Sequence, residues 1–473
     1  MAKKSYLIDT SIILDDPENI IYLYDNAKNT LCISDVVLEE LDKKKTSHEV
    51  GFLAREFFRN IGDFDKRATS SAKASKQELP FPPKEQDFLY IAYYESKQGA
   101  IPITIIYRAS YKTKHLEYGL NDARIAEIAK DYGLTLLTND IALKIRTKAS
   151  GLNAQSLFRD RVENPSEINF WHSFLLHKDA PLAQLEKTKA FKTLKEWSLI
   201  HIDEQDNTDS SLYLTGKKRF GIKLQGRFEE WDLDTMIDEA APYVTPINLD
   251  QKMLFCLLTH PHNVATIATG STGSGKTLIA LQAGLELLKQ EVVDGIIYLR
   301  NTITANDKEA ELGFRKGDED QKLGYFMYPL YSAINFIIDS LRSSSLKSYL
   351  EYRGNVNTIH KEDATEYFLK KHNIQVVDIA HARGITIRKK FVIFDEVQNA
   401  SNATIKLIGT RLGDDSRIVF LGDWAQIDHP YLSKFRNGAV SLLQKALATD
   451  IIAGIQLRQT IRSSIAQWFG ESF

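Results

Sequence analysis

Apolar positions along this chain recur in two periods. Short β-branched runs bounded by turn residues alternate with longer stretches in which apolar residues repeat every three or four positions. That alternation predicts α/β architecture built on parallel sheets. In the N-terminal third, runs at 6–8, 31–33 and 134–137 read as strands. VVLEELDKKK and NDARIAEIAKDYG read as amphipathic helices, the first capped by Ser34 or Asp35, the second capped at its start and closed by Gly133. The stretch from about 63 to 118 contains IPITIIY, an extra strand or hairpin. From 153 to 235 the pattern changes to short alternations, NFWHSFLLH and SLYLTGKKRFGIKLQGRF, which predict a few strands in a small β-rich segment. Beyond 240, strands are expected at 264–269, 295–299, 375–379, 391–394 and 417–421. The expected organisation is therefore 1–152, 153–238 and 239–473.

One of these strands leads into chemistry. The run VATIAT stops at Gly270, and Ser271, Thr272, Gly273, Ser274 and Gly275 form a small-residue loop before Lys276 and Thr277 open the helix LIALQAGLELL. Strand, G-x-x-x-x-G-K-T, helix is the context of a phosphate-binding loop. Glycines let backbone N–H groups turn inward around a polyphosphate, and the helix N-terminus adds partial positive charge. Lys276 is expected on the β- and γ-phosphates and Thr277 on Mg²⁺. The strand at 391–394 delivers Asp395 and Glu396. Asp395 is placed to join the Mg²⁺ shell, and Glu396 to orient or deprotonate the attacking water, which favours ATP hydrolysis over a slow GTP switch. After the strand at 417–421 come Asp423 and Gln426, where a γ-phosphate sensor would sit, and Asp428, which fits a turn cap. Gln251, upstream of the loop, is a candidate adenine reader. Arg411, Arg458 and Arg462 are candidate arginine fingers, from this subunit or a neighbour.

A second set of acids belongs to the N-terminal segment. Asp9 and Asp140 follow strands, so a parallel sheet brings them to one edge. Asp122 at a helix start and Glu40 on a helix are placed to join them, with Glu39 the alternative to Glu40. Clustered carboxylates repel and call for a cation, and hard oxygen donors favour Mg²⁺ or Mn²⁺. Taken singly, each acid also has an ordinary reading as a cap, loop or solvated residue.

Composition narrows the setting. At 473 residues, two or three domains are expected. No apolar run is long enough to cross a bilayer, and MAKKSYLIDTSI is not a secretory signal. Cys32 and Cys256, each inside an apolar stretch, read as reduced core cysteines of a cytoplasmic protein. A net charge of −2 gives no global pull on nucleic acid, but a local basic stripe suffices for binding. Lys217, Lys218 and Arg219 read as a basic tip of a solvated loop.

The runs YLIDTSIIL, VVLEELDKKK, LNDARIAEIA and TLLTNDIALKIRTKASGL resemble the PIN domain, a family of metal-dependent ribonucleases with a three-layer α/β/α fold. The resemblance implies metal-ligand roles for Asp9, Glu40, Asp122 and Asp140. GSTGSGKT, ELGFRKGD, MYPLY, IAHARGIT, FVIFDEVQNAS, TRLG and LGDWAQID resemble the PhoH family of P-loop ATPases, RecA-like and related to the superfamily 1 helicase core. A PIN domain ahead of a PhoH ATPase is a known, PhoH2-like arrangement. It implies an ATP-dependent RNA helicase and ribonuclease, with single-stranded RNA as partner, a hexameric ring as assembly and a small protein inhibitor as a further partner. Three departures are visible: Arg300-Asn301 in place of Arg-Pro, VQNAS where AQN is common, and an insertion from 340 to 366. On the helicase side, Arg300, Arg383, Arg388, Lys389 and Lys390, with His381 nearby, are the candidate RNA contacts.

The leading expectation is ATP-driven movement or unwinding of RNA coupled to metal-dependent cleavage. The alternative is a regulatory nucleic-acid-binding ATPase whose PIN domain does not cut, against which the complete acidic quartet argues. A P-loop small-molecule kinase is disfavoured by the Asp-Glu pair and the G-D-x-x-Q motif.

Overall fold

A computed structural model describes residues 4–47, 50–61, 79–84, 87–96, 99–113, 119–157, 164–207, 212–300, 327–344, 361–379, 386–427 and 432–461. The chain divides into two compact units, Met1–Arg159 and Asp160–Phe473.

The first unit begins with β1 (Lys4–Ile8) and α1 (Thr10–Asp15), then α2 (Asn19–Tyr24), β2 (Asn29–Ser34), α3 (Asp35–Lys44) and α4 (Gly51–Ile61). It continues through β3 (Asp87–Ser96), β4 (Gly99–Arg108), α5 (Leu120–Asp131), β5 (Thr135–Leu137), α6 (Ile141–Ala149) and β6 (Ala154–Gln155). The sheet order is β3-β4-β2-β1-β5-β6, with only β3 antiparallel. The IPITIIY run is β4, and β3 with β4 makes the extra hairpin. Parallel strands buried on both faces explain the near-continuous aliphatic runs. Leu7, Ile8, Leu31, Ile33, Ile103 and Leu136 fill the centre, and Ile125 and Ile128 face them from α5.

Local chemistry sets the boundaries. The Ser34 hydroxyl accepts from Val37 N at 3.3 Å and starts α3. The expected cap on the 121–133 helix is absent: α5 starts one residue earlier, behind Gly119 in the left-handed region (φ 71°), with no side-chain cap. Asn121 instead donates to Glu40.

The second unit carries two sheets. The strands β7 (Trp171–His177), β8 (Leu199–Asn207), β9 (Leu212–Leu224) and β10 (Arg227–Trp231) form one, in the order β10-β9-β8-β7. Lys217, Lys218 and Arg219 are not a loop tip: they lie within β9 and face Glu204, Asp203 and Glu230 respectively. After α7 (Leu249–Thr259) comes the parallel sheet of β11 (Ala265–Gly270), β12 (Ile296–Arg300), β13 (Ile374–Asp378), β14 (Phe391–Asp395), β15 (Arg417–Gly422) and β16 (Ala453–Leu457). Its order is β13-β12-β14-β15-β11-β16, and α8 (Lys276–Lys289) follows β11.

A continuous apolar core joins the two sheets, with Phe170, Leu199, Ile222 and Trp231 from the small sheet's side and Ile267, Ile393, Val419 and Ile455 from the parallel sheet. Gly454 is part of that junction, because a Cβ there would meet the Phe170 ring at 2.2 Å. Cys32 and Cys256 are free and buried, and burial pushes both thiols up to about 12.

Candidate functional sites

The phosphate loop joins the C-terminal end of β11 to the N-terminus of α8. Gly273 and Gly275 adopt φ of 84° and 86°, which side-chain-bearing residues rarely take. Lys276 Nζ donates to Gly270 O at 2.6 Å and Ser271 O at 3.1 Å, so the ammonium lies across the loop. The buried Gln251 supports this loop from α7: its Nε2 donates to Ser274 O at 3.0 Å, and its Oε1 accepts from Ile247 N at 3.1 Å. Each end of the amide retains one further hydrogen-bonding capacity.

Register aligns Arg300 of β12 with Asp395 of β14. Asp395 Oδ2 accepts from the Thr277 hydroxyl at 3.0 Å and from the Tyr298 hydroxyl at 2.8 Å. The two side chains expected around Mg²⁺ therefore touch, a donor set of the right chemistry. The buried Tyr298 hydroxyl is held well above its ordinary pKa, by desolvation first and by Asp395 next. It stays a neutral donor to the carboxylate.

Glu396 follows with φ 56° and ψ 39°, a left-handed conformation costly for a non-glycine residue and common at functional sites. Burial, then the Asp395 charge, raises its carboxyl pKa. Gln398 donates to Glu396 Oε2 at 2.5 Å and accepts from Asp423 N at 3.1 Å. Asp423 Oδ1 accepts from Ala425 N, and Gln426 Oε1 accepts from the Thr272 hydroxyl at 2.6 Å. A chain of contacts thus runs from Glu396 through Gln398 to the 423–426 turn and back to the phosphate loop.

The arginines and lysines fall in different places. Arg300 Nη2 lies 3.6 Å from Glu396 Oε1. Arg458 leaves the end of β16, its backbone N donating to Asp250 and its guanidinium to Asn169. Ile461 N donates to Gly273 O at 2.9 Å, so this segment reaches the phosphate loop. Arg411 precedes β15, at the sheet edge opposite the loop, and its Nε is buried with no hydrogen-bond partner. Arg388, Lys389 and Lys390 precede β14 at that same opposite edge, and Lys390 pairs with Asp294 at 2.8 Å. Parallel strands put N- and C-terminal ends on opposite sides, so Arg388, Lys389 and Lys390 lie at the edge away from the phosphate loop. Arg383, His381, Asp428 and Arg462 lie outside the described residues, as do ELGFRKGD and nearly all of IAHARGIT.

In the first unit, Asp9 follows β1 and caps α1. Its Oδ2 accepts from the Ser11 hydroxyl at 2.5 Å and the Thr138 hydroxyl at 2.7 Å. Burial, partly offset by these hydroxyls, raises the carboxyl from 3.8 to about 6, and Glu40 adds to the rise. Glu40 accepts from Thr10 at 2.5 Å and Asn121 at 2.8 Å, whereas Glu39 is exposed and pairs with Lys43. Asp122 sits in the first turn of α5 and Asp140 caps α6, accepting from Leu143 N. Desolvation raises the Asp122 pKa, and the charges of Asp140 and Glu40 raise it further. Arg146 Nη1 lies 3.3 Å from Asp122.

The four acids therefore share one sheet edge and sense one another. Their oxygen donors suit a hard divalent cation. Among the described residues, however, no three His, Cys, Asp or Glu side chains converge closely enough to hold an ion. Sequence reasoning missed Tyr298, Gln398, Thr10, Ser11 and Thr138. A tyrosine among the aliphatic residues of β12 is the one visible signal among them.

Residues 243–473 match the family described as PhoH-like protein, and residues 6–157 match the PIN domain. Protein PhoH2 of Bacillus subtilis (strain 168) is 25% identical over 98% of this chain and 98% of its own. The Protein PhoH2 sequences of Thermobispora bispora and Mycolicibacterium smegmatis are each 24% identical over 98% of this chain and 95% of their own.

Proposed function

For a chain that joins a PIN domain to a PhoH ATPase domain, we propose an ATP-dependent RNA-processing enzyme in which ATP hydrolysis drives movement or unwinding of RNA and the PIN acids cleave it. The observation that carries the reading is the contact of Thr277 with Asp395 beside the strained Glu396. In this reading the loop N–H groups and Lys276 hold the polyphosphate. Thr277 and Asp395 would hold Mg²⁺, which would supply neutralisation of phosphate charge. Glu396, with its raised pKa, orients water or takes its proton, and Gln398 fixes the carboxylate. Asp423 and Gln426 register the γ-phosphate through the turn that touches Thr272.

On the PIN side, Asp9, Glu40, Asp122 and Asp140 would hold Mg²⁺ or Mn²⁺, which would supply activated water and a stabilised leaving oxygen. Ser11 and Thr138 orient Asp9, and Thr10 and Asn121 orient Glu40. Arg300 and Arg383 remain candidate RNA contacts. A ring of subunits, hexameric by family resemblance, fits a role for Arg411 only in trans, since it lies at the sheet edge opposite its own loop. Arg462 follows the segment that reaches Gly273 and is the candidate in cis.

The test is phosphate release from ATP with and without a single-stranded oligoribonucleotide. RNA-stimulated release supports a motor. A phosphorylated small molecule on thin-layer analysis would replace this reading with a kinase.

A further inference from the structure

The first unit contains a groove of about 550 Å³ lined by both α5 and α6. Asp122 is one of its walls, so it opens onto the acidic edge. Lys112 and Thr113 line it just beyond β4, Lys130 from α5 and Arg146 from α6. Ala123, Ala126, Leu143 and Leu152 give it an apolar side.

The charges in this groove are arranged by depth. Glu127 and Asp131 are recessed, and the buried Arg108 guanidinium holds them at 3.1 and 2.8 Å. Glu127 also accepts from the backbone N of Lys112 and Thr113 at 3.0 and 3.1 Å. Against the partial burial that raises its pKa, these donors and Arg108 hold the Glu127 carboxyl below its usual range. The recessed carboxylates are thus satisfied from below. The cations reach outward: the side chains of Lys112 and Arg146 are 81% and 59% exposed, and Lys130 is exposed. Lys112 Nζ is 3.9 Å from Asp131, at the limit of an ion pair.

Cationic tips along an apolar wall suit a polyanion with flat apolar faces. Phosphates meet Lys and Arg without sequence preference, and the alanine and leucine side offers an apolar surface to a base. The volume falls within the usual range of ~300–1,000 Å³ for ligand clefts. We infer that this groove is an RNA-holding subsite of the PIN unit, seating a short stretch of single strand next to Asp122. The inference rests on the RNA-cleaving reading, and it adds the residues that hold the strand.

The experiment uses the full-length chain with EDTA present, so that binding is read without cleavage. A fluorescent oligouridylate is titrated at several salt concentrations against wild type, the double variant Lys112→Ala/Lys130→Ala, the double variant Lys112→Arg/Lys130→Arg, and Lys28→Ala as a remote control. Each phosphate contact on a single strand contributes about 0.7 to the slope of log affinity against log salt. The alanine pair is expected to weaken binding about tenfold or more and to reduce the slope by about 1.4. The arginine pair and the control are expected to bind like wild type. Affinity and slope unchanged in the alanine pair would overturn the inference. Equal losses for uridine monophosphate and the oligomer would also overturn it, since that describes a single-phosphate pocket. If the alanine pair lowers binding but wild type never cleaves with Mg²⁺ or Mn²⁺, the nuclease reading fails while the groove stands. If wild type cleaves and the alanine pair binds normally, the groove fails while the nuclease reading stands.

Discussion

Asp9 is a buried carboxylate and Glu396 a half-buried one, and they are held in different ways. Glu396 is held by backbone strain and by Gln398, whose amide spans Glu396 and Asp423. Gln398→Ala is expected to lower kcat for ATP about tenfold with little change in KM, because the carboxylate stays but loses its orientation. Glu396→Gln is expected to cost roughly 10²–10⁴-fold. Steady-state phosphate release measures both. Asp9 gives a stability prediction. Its carboxyl rises from 3.8 to about 6, so the folded state binds the proton more tightly than the unfolded state. The unfavourable charge is therefore present above pH 6 and disappears as pH falls from about 6 towards 4. Asp9→Asn, which keeps an oxygen for Ser11 and Thr138, is expected to unfold at higher denaturant than wild type at pH 8 without metal, by up to about 3 kcal/mol. That gap should close by about pH 4.

Elements are legible in the sequence wherever one rule acts alone. Each parallel strand expected in the second unit is visible as a short aliphatic run, to within a residue or two, because burial on both faces leaves little freedom. Helix starts are less legible. The Asn121 amide has two uses, cap or partner of Glu40, and only tertiary structure decides between them. The basic run 217–219 misleads for the same reason: its ion-pair partners on β8 and β10 are cross-strand, not local. Gln251 lies between these cases. Its position before the loop is visible in the sequence, and its contact with Ser274 O is not. If it steadies the loop, Gln251→Ala should raise KM for ATP and GTP by similar factors. A loss confined to ATP would return it to adenine recognition alone. Competition kinetics with both nucleotides separates the outcomes.

At the scale of the whole chain, the PIN and PhoH domains are readable from motifs, since G-x-x-x-x-G-K-T and the strand-end acids carry the resemblances that the two family matches bear out. The middle segment has no such motif, and only its strands, not the core that holds them, are visible in the sequence. Its strands alternate weakly, and what holds them is a core shared with the parallel sheet, seen where Phe170 packs on Gly454. No helix among the described residues is long and apolar enough to cross a membrane. The central claim is that one chain carries an ATP-hydrolysing site and a separate RNA-cleaving site. The most direct measurement follows ATP hydrolysis and cleavage of one labelled RNA in wild type, Lys276→Ala and Asp9→Asn/Asp122→Asn. Lys276→Ala should lose ATP hydrolysis, and the acidic-site variant should keep it while losing cleavage. Cleavage that persists in the acidic-site variant, or loss of both activities from that variant while it remains folded, would contradict the two-site account.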